Sequence, residues 1–358
     1  MHKRVLITGG AGFVGSTLAI TLKQNHAGLE VTALDNLHRR GSELNLSRLR
    51  CAGVQFEHGD IRCPGDLRAL KQAPELIIEC SAEPSAQAGY GGSPEFLIQT
   101  NLNGCYNCLE LARETKADLI FISTSRVYPV KKLNSLAFEE GATRFILSDR
   151  QTVPGSSREG ISENFPLDGA RSLYGMTKLA AELMVTEYAD AYGLRCVINR
   201  CGLIAGPWQM GKTDQGVISL WMAAHYFRRP LQYIGFGGTG KQVRDILHVD
   251  DLSVLIQDQM QNISKYAGGL FNAGGGLSGS LSLREMTGLC EKITGNRIDI
   301  HSSGEERPAD VRIYLTDNRN LTQFRGWRPR RSPEDVLTDI YQWIKREEEF
   351  LKPILAPG

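Results

Sequence analysis

The sequence predicts an α/β protein: a doubly wound parallel sheet with a smaller, irregular α/β lobe added to it. Three observations carry this. Short apolar, β-branched runs alternate with longer segments of helical period over the first 200 residues, the order expected of successive βαβ units. Several of those runs, RVLIT and DLIFIS among them, are apolar almost without a break, as strands buried on both faces must be. Beyond residue 200 the alternation weakens and Gly-rich turns such as Gly235–Gly240 and Gly274–Gly279 intervene, which marks the change to a second lobe.

Strands are expected near Arg4–Thr8, Glu30–Leu34, Val54–His58, Leu76–Ile78, Leu119–Ser123 and Cys196–Arg200. Helices fall between them, near Gly12–Asn25, Pro64–Gln72, Ser93–Glu114 and Tyr174–Ala191. The stretch Val130–Ala170 is polar and weakly patterned and reads as a long loop with some short structure; loops of that length inside a domain are more often functional than idle. The expected division is a nucleotide-binding domain over 1–200, to which the chain returns around 240–275, and a lobe made mainly of 201–358.

Lys plus Arg number 41 against 40 for Asp plus Glu, so no field of one sign favours nucleic acid or a membrane surface as a partner. An anionic ligand must then be held by local arginines. Met1–Thr8 runs into a strand without the pattern of a signal peptide, and no apolar run is long enough to span a bilayer. A cytoplasmic protein with reduced cysteines is expected. Cys105 and Cys108 form a C-x-x-C inside the apolar helical pattern Asn101–Arg113, and no second cysteine pair stands at zinc-ligand spacing. Packing is their expected role, and no metal is expected.

Gly9, Gly12 and Gly15 lie in TGGAGFVG, directly after the strand RVLIT and at the opening of a helix that begins with Phe13 and Val14. Backbone passing close to a pyrophosphate needs glycine there, and a helix N-terminus offers unpaired N–H groups and the positive end of a dipole. Asp35 stands 20 residues beyond Gly15 at the end of the second strand, the context that turns a glycine triplet into a Rossmann-type dinucleotide site. Its carboxylate would accept hydrogen bonds from the adenosine ribose hydroxyls and repel a 2′-phosphate, which selects NAD over NADP. Asn36 lies beside it; Arg39 and Arg40, which follow closely, work against that selection unless they form only a solvated basic turn, and Asp60-Ile61 in HGDI fits a loop at the adenine edge.

Tyr174 and Lys178 are four apart in SLYGMTKLAAEL, which puts both side chains on one helix face. A phenol with a pKa of about 10 is a poor base at neutral pH. A nearby ammonium stabilises the phenolate and makes Tyr174 usable as a general base. Thr124 ends the fifth strand within STS, at the carboxyl edge where ligands lie in open α/β sheets.

Together these segments resemble the extended short-chain dehydrogenase/reductase family of nucleotide-sugar enzymes. TGGAGFVG, Asp35 in DNL, Tyr174 to Lys178, RDILHVDDL from Arg244 and Arg307 to Asp310 (RPAD) match its motifs over nearly the whole chain. DNLHRRGSELNL, TSRVY, ATRF, TDQG at Thr213–Gly216 and GKQVRDILHVDDL are similar to its CDP-sugar 2-epimerase branch. The resemblance implies that Thr124, Tyr174 and Lys178 are catalytic, that Ser81, Ala82, Asn101 and Ser123 join the NAD site, and that Glu83, Gln215, Arg244 and Arg307 bind substrate, the two arginines through its diphosphate. Some positions depart from the family pattern. The fourth strand runs into ECSAEP, with Cys80 in place of the usual histidine-containing segment; Pro129 follows Tyr128 where glycine is usual; Ala205-Gly206-Pro207 replaces Y-G-P; and Glu83 stands where the 2-epimerases carry a neutral amide.

The activity so implied is epimerisation of a nucleotide-diphosphate sugar by transient oxidation to a keto sugar, by a homo-oligomer, dimer or tetramer. A 4-epimerase or a reductase of the same family is the alternative. Dehydration is disfavoured because Ser125 and Arg126 follow Thr124, where the family's dehydratases carry an acid pair. A non-catalytic NAD-binding sensor is the alternative of another class, and the intact Thr124, Tyr174 and Lys178 speak against it.

Overall fold

The apolar runs become β1 (Arg4–Thr8), β2 (Glu30–Asp35), β3 (Gln55–His58), β4 (Leu76–Glu79) and β5 (Asp118–Thr124). They lie parallel in the order β3-β2-β1-β4-β5. The sheet continues through β6 (Cys196–Cys201) to β7 (Leu270–Ala273). Strand order reverses between β1 and β4, and at such a switch point the carboxyl ends of the strands open a crevice suited to a ligand. The computed structural model describes residues 2–211 and 215–356, in two compact units. The first holds the residues up to Thr124, Leu173–Arg200 and Leu252–Phe271; the second holds Ser125–Ser172, Cys201–Asp251 and the residues from Asn272 onward.

In the first unit α1 (Phe13–Asn25) packs on β1 and β2, with α2 (Asn45–Cys51) beside it. α3 (Pro64–Arg68), α4 (Gly104–Thr115) and α5 (Leu173–Tyr192) complete its main helices before β6. Leu6, Ile77, Leu119, Phe121 and Ile198 form one buried cluster with Leu109 and Ala112 of α4 and Ala181 and Val185 of α5. This cluster seats α5, and hence Tyr174 and Lys178, against the sheet.

Two local expectations are corrected. α3 stops at Arg68, short of Gln72, where the Ala69 N–H closes it on the Gly65 carbonyl; Pro74 further on restricts Ala73 to extended backbone. The single helix expected over Ser93–Glu114 is broken into a turn at Glu95–Ile98, a π-helical turn at Gln99–Asn103, and α4. An inserted π turn is common at functional positions. Here it carries Asn101, and it is followed at once by Gly104, where an added Cβ would lie 2.3 Å from Ile61 Cδ1. α2 has no counterpart among the elements expected from the sequence.

The second unit has a four-stranded mixed sheet of Leu203–Ala205, Val243–His248, Ser280–Ser282 and Ile313–Tyr314. Val130–Ala170 contains a short helix at Val130–Asn134 and the hairpins Phe138–Glu140/Phe145–Leu147 and Ser156–Ser157/Gly160–Ile161. Capping boxes at Ser282 and Ser332 start the helices Leu283–Thr294 and Pro333–Arg346, each satisfying two otherwise orphaned backbone donors. Among the described residues no helix is long and apolar enough to cross a membrane.

Candidate active site

At the end of β1 the chain turns through Gly9, whose φ is +63°. A Cβ on Gly9 would lie 3.0 Å from the backbone of Cys80 and Ser81, and one on Gly15 would lie 2.2 Å from the Gly9 carbonyl oxygen. The turn is therefore a cradle of bare backbone. α1 starts beyond Gly12 with no side-chain cap and no acidic residue in its first turn, so its N–H groups and positive dipole end suit a pyrophosphate. These residues fit the NAD expected from the sequence.

Asp35 ends β2 and is fixed by backbone: Oδ2 accepts from Ala11 N–H at 3.0 Å and Oδ1 from Leu37 N–H at 2.8 Å. Burial pushes its carboxyl up, against the pull of the Leu37, Ala11 and Gly12 N–H groups. Asn36 Nδ2 donates to Asp60 Oδ2 at 2.8 Å. Burial works against the Asp60 charge, but the Arg62 guanidinium and Asn36 hold it down at about 2. Ile61, by contrast, is a core residue: it is buried against Gly104, and its carbonyl accepts from Asn107 Nδ2 at 2.8 Å. Arg39 is half-buried and Arg40 exposed in the turn beyond β2.

Thr124 ends β5, 9% exposed, and Tyr174 and Lys178 sit one turn apart on α5. Lys178 is 2% exposed, with Nζ 3.9 Å from the centroid of the Phe121 ring and 3.6 Å from Glu79 Oε2. Burial opposes its charge, yet Glu79 and then Tyr174 more than offset this and hold Lys178 above the ordinary lysine value. Tyr174 is thus within electrostatic reach of the ammonium, the arrangement a tyrosine base requires.

Asn101 and Ser123 are engaged in ways their spacing did not show. Asn101 Oδ1 accepts from Glu83 N–H at 2.8 Å, while its Nδ2 donates to the Glu83 carbonyl at 3.1 Å and to Thr177 Oγ1 at 3.2 Å. It clamps Glu83, in the loop after β4, to α5. Ser123 Oγ donates to Glu182 Oε1 at 2.5 Å, and Glu182 is paired with Arg200 through bonds of 2.7 to 3.1 Å. The pair Glu182–Arg200 and the acid Glu79 were missed by sequence reasoning. The one signal for Glu79 was a lone acid closing an otherwise apolar strand, LIIE.

In the second unit Arg244 donates to the Val243 carbonyl at 2.7 Å and to Asp310 Oδ1 at 2.9 Å. Burial pushes its guanidinium down to about 10, with Asp310 opposing and Arg126 reinforcing. Arg126 Nη1 donates to the Ala309 carbonyl at 3.0 Å, in the turn that joins Arg307 to Asp310. Arg126 is thus a cation of this cluster that the motif comparison did not single out. Gln215 lies just before the helix Val217–Tyr226; Thr213 and Asp214 of the TDQG segment lie outside the described residues. Cys105 and Cys108 are buried in the core cluster.

The chain is 32% identical over 353 residues to the CDP-paratose 2-epimerase of Salmonella typhi, an alignment covering 95% of this chain and 98% of that one. It is 28% identical to the dTDP-glucose 4,6-dehydratase of Streptomyces griseus, over 100% of this chain and 99% of the relative. Its fold superposes on the UDP-glucose 4-epimerase of Thermus thermophilus in complex with NAD with a TM-score of 0.77 at 25% identity, covering 96% of this chain and 99% of that one. The sequence pattern of the NAD dependent epimerase/dehydratase family matches residues 5–274. The chain is an enzyme of that NAD-dependent family, the nucleotide-sugar epimerases and dehydratases built on the extended short-chain dehydrogenase/reductase fold.

Proposed function

We propose that this enzyme epimerises a CDP-linked sugar at carbon 2, interconverting CDP-paratose and CDP-tyvelose. The observation that carries the reading is the 32% identity to a CDP-paratose 2-epimerase along nearly the full length of both chains. The residues after Thr124 favour epimerisation over dehydration. β5 is followed by Ser125, Arg126 and Val127 in a 3₁₀ turn, with no carboxyl there to protonate a leaving hydroxyl.

NAD, when bound by the glycine turn and Asp35, supplies the acceptance and return of the carbon-bound hydrogen. The chain's own residues do the rest. Tyr174, with Lys178 behind it, takes the hydroxyl proton as the carbonyl forms and returns it as the hydroxyl is restored. Thr124 holds the reacting sugar oxygen by hydrogen bond. Arg244 and Arg307 hold the diphosphate, which leaves the sugar free to turn. Arginine suits this because its planar fork pairs phosphate oxygens bidentately. A cytoplasmic homo-oligomer with reduced cysteines belongs to the same reading.

The test is to supply the protein, without added cofactor, with CDP-paratose, CDP-tyvelose and a panel of UDP- and GDP-sugars, and to read product stereochemistry by NMR. The expected result is inversion at carbon 2 of the CDP-sugars, with NAD rather than NADP released when the protein is denatured. Inversion of a UDP-sugar at carbon 4 with inert CDP-sugars would replace this reading by that of a 4-epimerase.

A further inference from the structure

We propose that Glu79, at the carboxyl end of β4, is a positioning residue for this chemistry: its buried carboxylate keeps Lys178 protonated and in place beside Tyr174. The inference rests on the assignment of Tyr174 as the general base. Glu79 and Lys178 are each 2% exposed, and Oε2 of one lies 3.6 Å from Nζ of the other. A buried ammonium with no counter-charge loses its proton readily, because desolvation can lower a lysine pKa by roughly three to five pH units. A neutral lysine cannot stabilise a phenolate.

Besides Glu79, the groups that act on Lys178 are the Phe121 ring from β5, Tyr174 on its own helix, Cys80 after β4 and Cys105 from α4. Around Glu79 stand Lys178, the Ser81 N–H, Cys105 and Cys108. Burial pushes both of these α4 thiols upward, with Glu79 adding to the effect, so they stay uncharged near neutrality. Among these groups Glu79 is the one carboxylic acid. Burial pushes Glu79 up as well, and Lys178 draws it back toward ionisation.

The separation of 3.6 Å exceeds a normal hydrogen bond. Glu79 therefore acts on Lys178 through charge and leaves its N–H donors uncommitted to the carboxylate. β4 ends in this acid and runs directly into Cys80, Ser81 and Ala82, which stand in place of the family's usual histidine-containing segment.

The experiment uses the NAD-bound protein with ¹⁵N-labelled lysine, the Lys178 Nζ signal being assigned by its loss in Lys178→Arg. In the native protein Lys178 should remain an ammonium up to at least the ordinary lysine value of about 10.4. In Glu79→Gln its titration should move down by on the order of one to three pH units, and Glu79→Asp should restore most of the difference. The alkaline limb of the activity profile should move down with it. An unchanged Lys178 titration in folded Glu79→Gln would overturn the proposal, even if activity were lost. Should Glu79→Gln not fold, the ¹³C carboxyl signal of Glu79 in the native protein decides: ionised at neutral pH supports the proposal, and protonated overturns it. No nucleotide sugar enters these titrations, so they stand or fall separately from the epimerase assignment.

Discussion

Replacing Tyr174 by phenylalanine should lower turnover by about a hundredfold to ten-thousandfold, the usual worth of general base catalysis. The substitution removes one oxygen from a residue in the first turn of α5 and leaves the ring to pack. Gly175, Thr177, Lys178, Ala181, Glu182 and Val185, which seat that helix, are untouched. Stability and NAD content should therefore stay near native. Substrate affinity should change little, because the diphosphate is assigned to Arg244 and Arg307 and the sugar oxygen to Thr124. Steady-state kinetics with a dinucleotide assay on the same preparation separates these effects. Near-native turnover would mean that another group takes the proton.

The largest effect on stability is expected at Glu182. Its carboxylate and the Arg200 guanidinium are 3% and 4% exposed, and short hydrogen bonds join them. Ser123 adds another from the residue before Thr124. Removing the Glu182 carboxylate takes from the buried Arg200 charge the acid bonded to it, and breaking a buried pair from one side costs about 3–5 kcal/mol. Glu182→Ala should lose that much in urea unfolding. Replacing both, with Glu182→Met and Arg200→Leu, should recover much of the loss, since an apolar pair of similar volume carries no desolvation cost. A cost below about 1 kcal/mol, the value of an exposed pair, would show that the pair does not anchor α5 to the end of β5.

The difference between what was legible in the sequence and what was not follows the range of the interactions. RVLIT, EVTALD and DLIFIS are strands because local apolar composition decides it, and TGGAGFVG is a turn because backbone approach decides it. Tyr174 and Lys178 share a face through helix period alone. Glu79, Asn101 and Ser123 act through partners far away in the chain: Lys178, Glu83 with Thr177, and Glu182. No local pattern encodes such pairings. The side chain of Ile61 in HGDI fills the gap that Gly104 leaves, a packing partner 43 residues away that no local pattern shows. The small hairpins at Phe138–Leu147 and Ser156–Ile161 are too short, two or three residues per strand, for alternation to show.

Running the reaction of the native enzyme in deuterated water tests the central claim most directly. If inversion proceeds by oxidation and return of the same carbon-bound hydrogen, with only the hydroxyl proton passing through Tyr174, the product must carry protium at the inverted carbon. Deuterium at that carbon would mean that a carbon-bound proton had been removed and replaced from solvent, and would contradict the account.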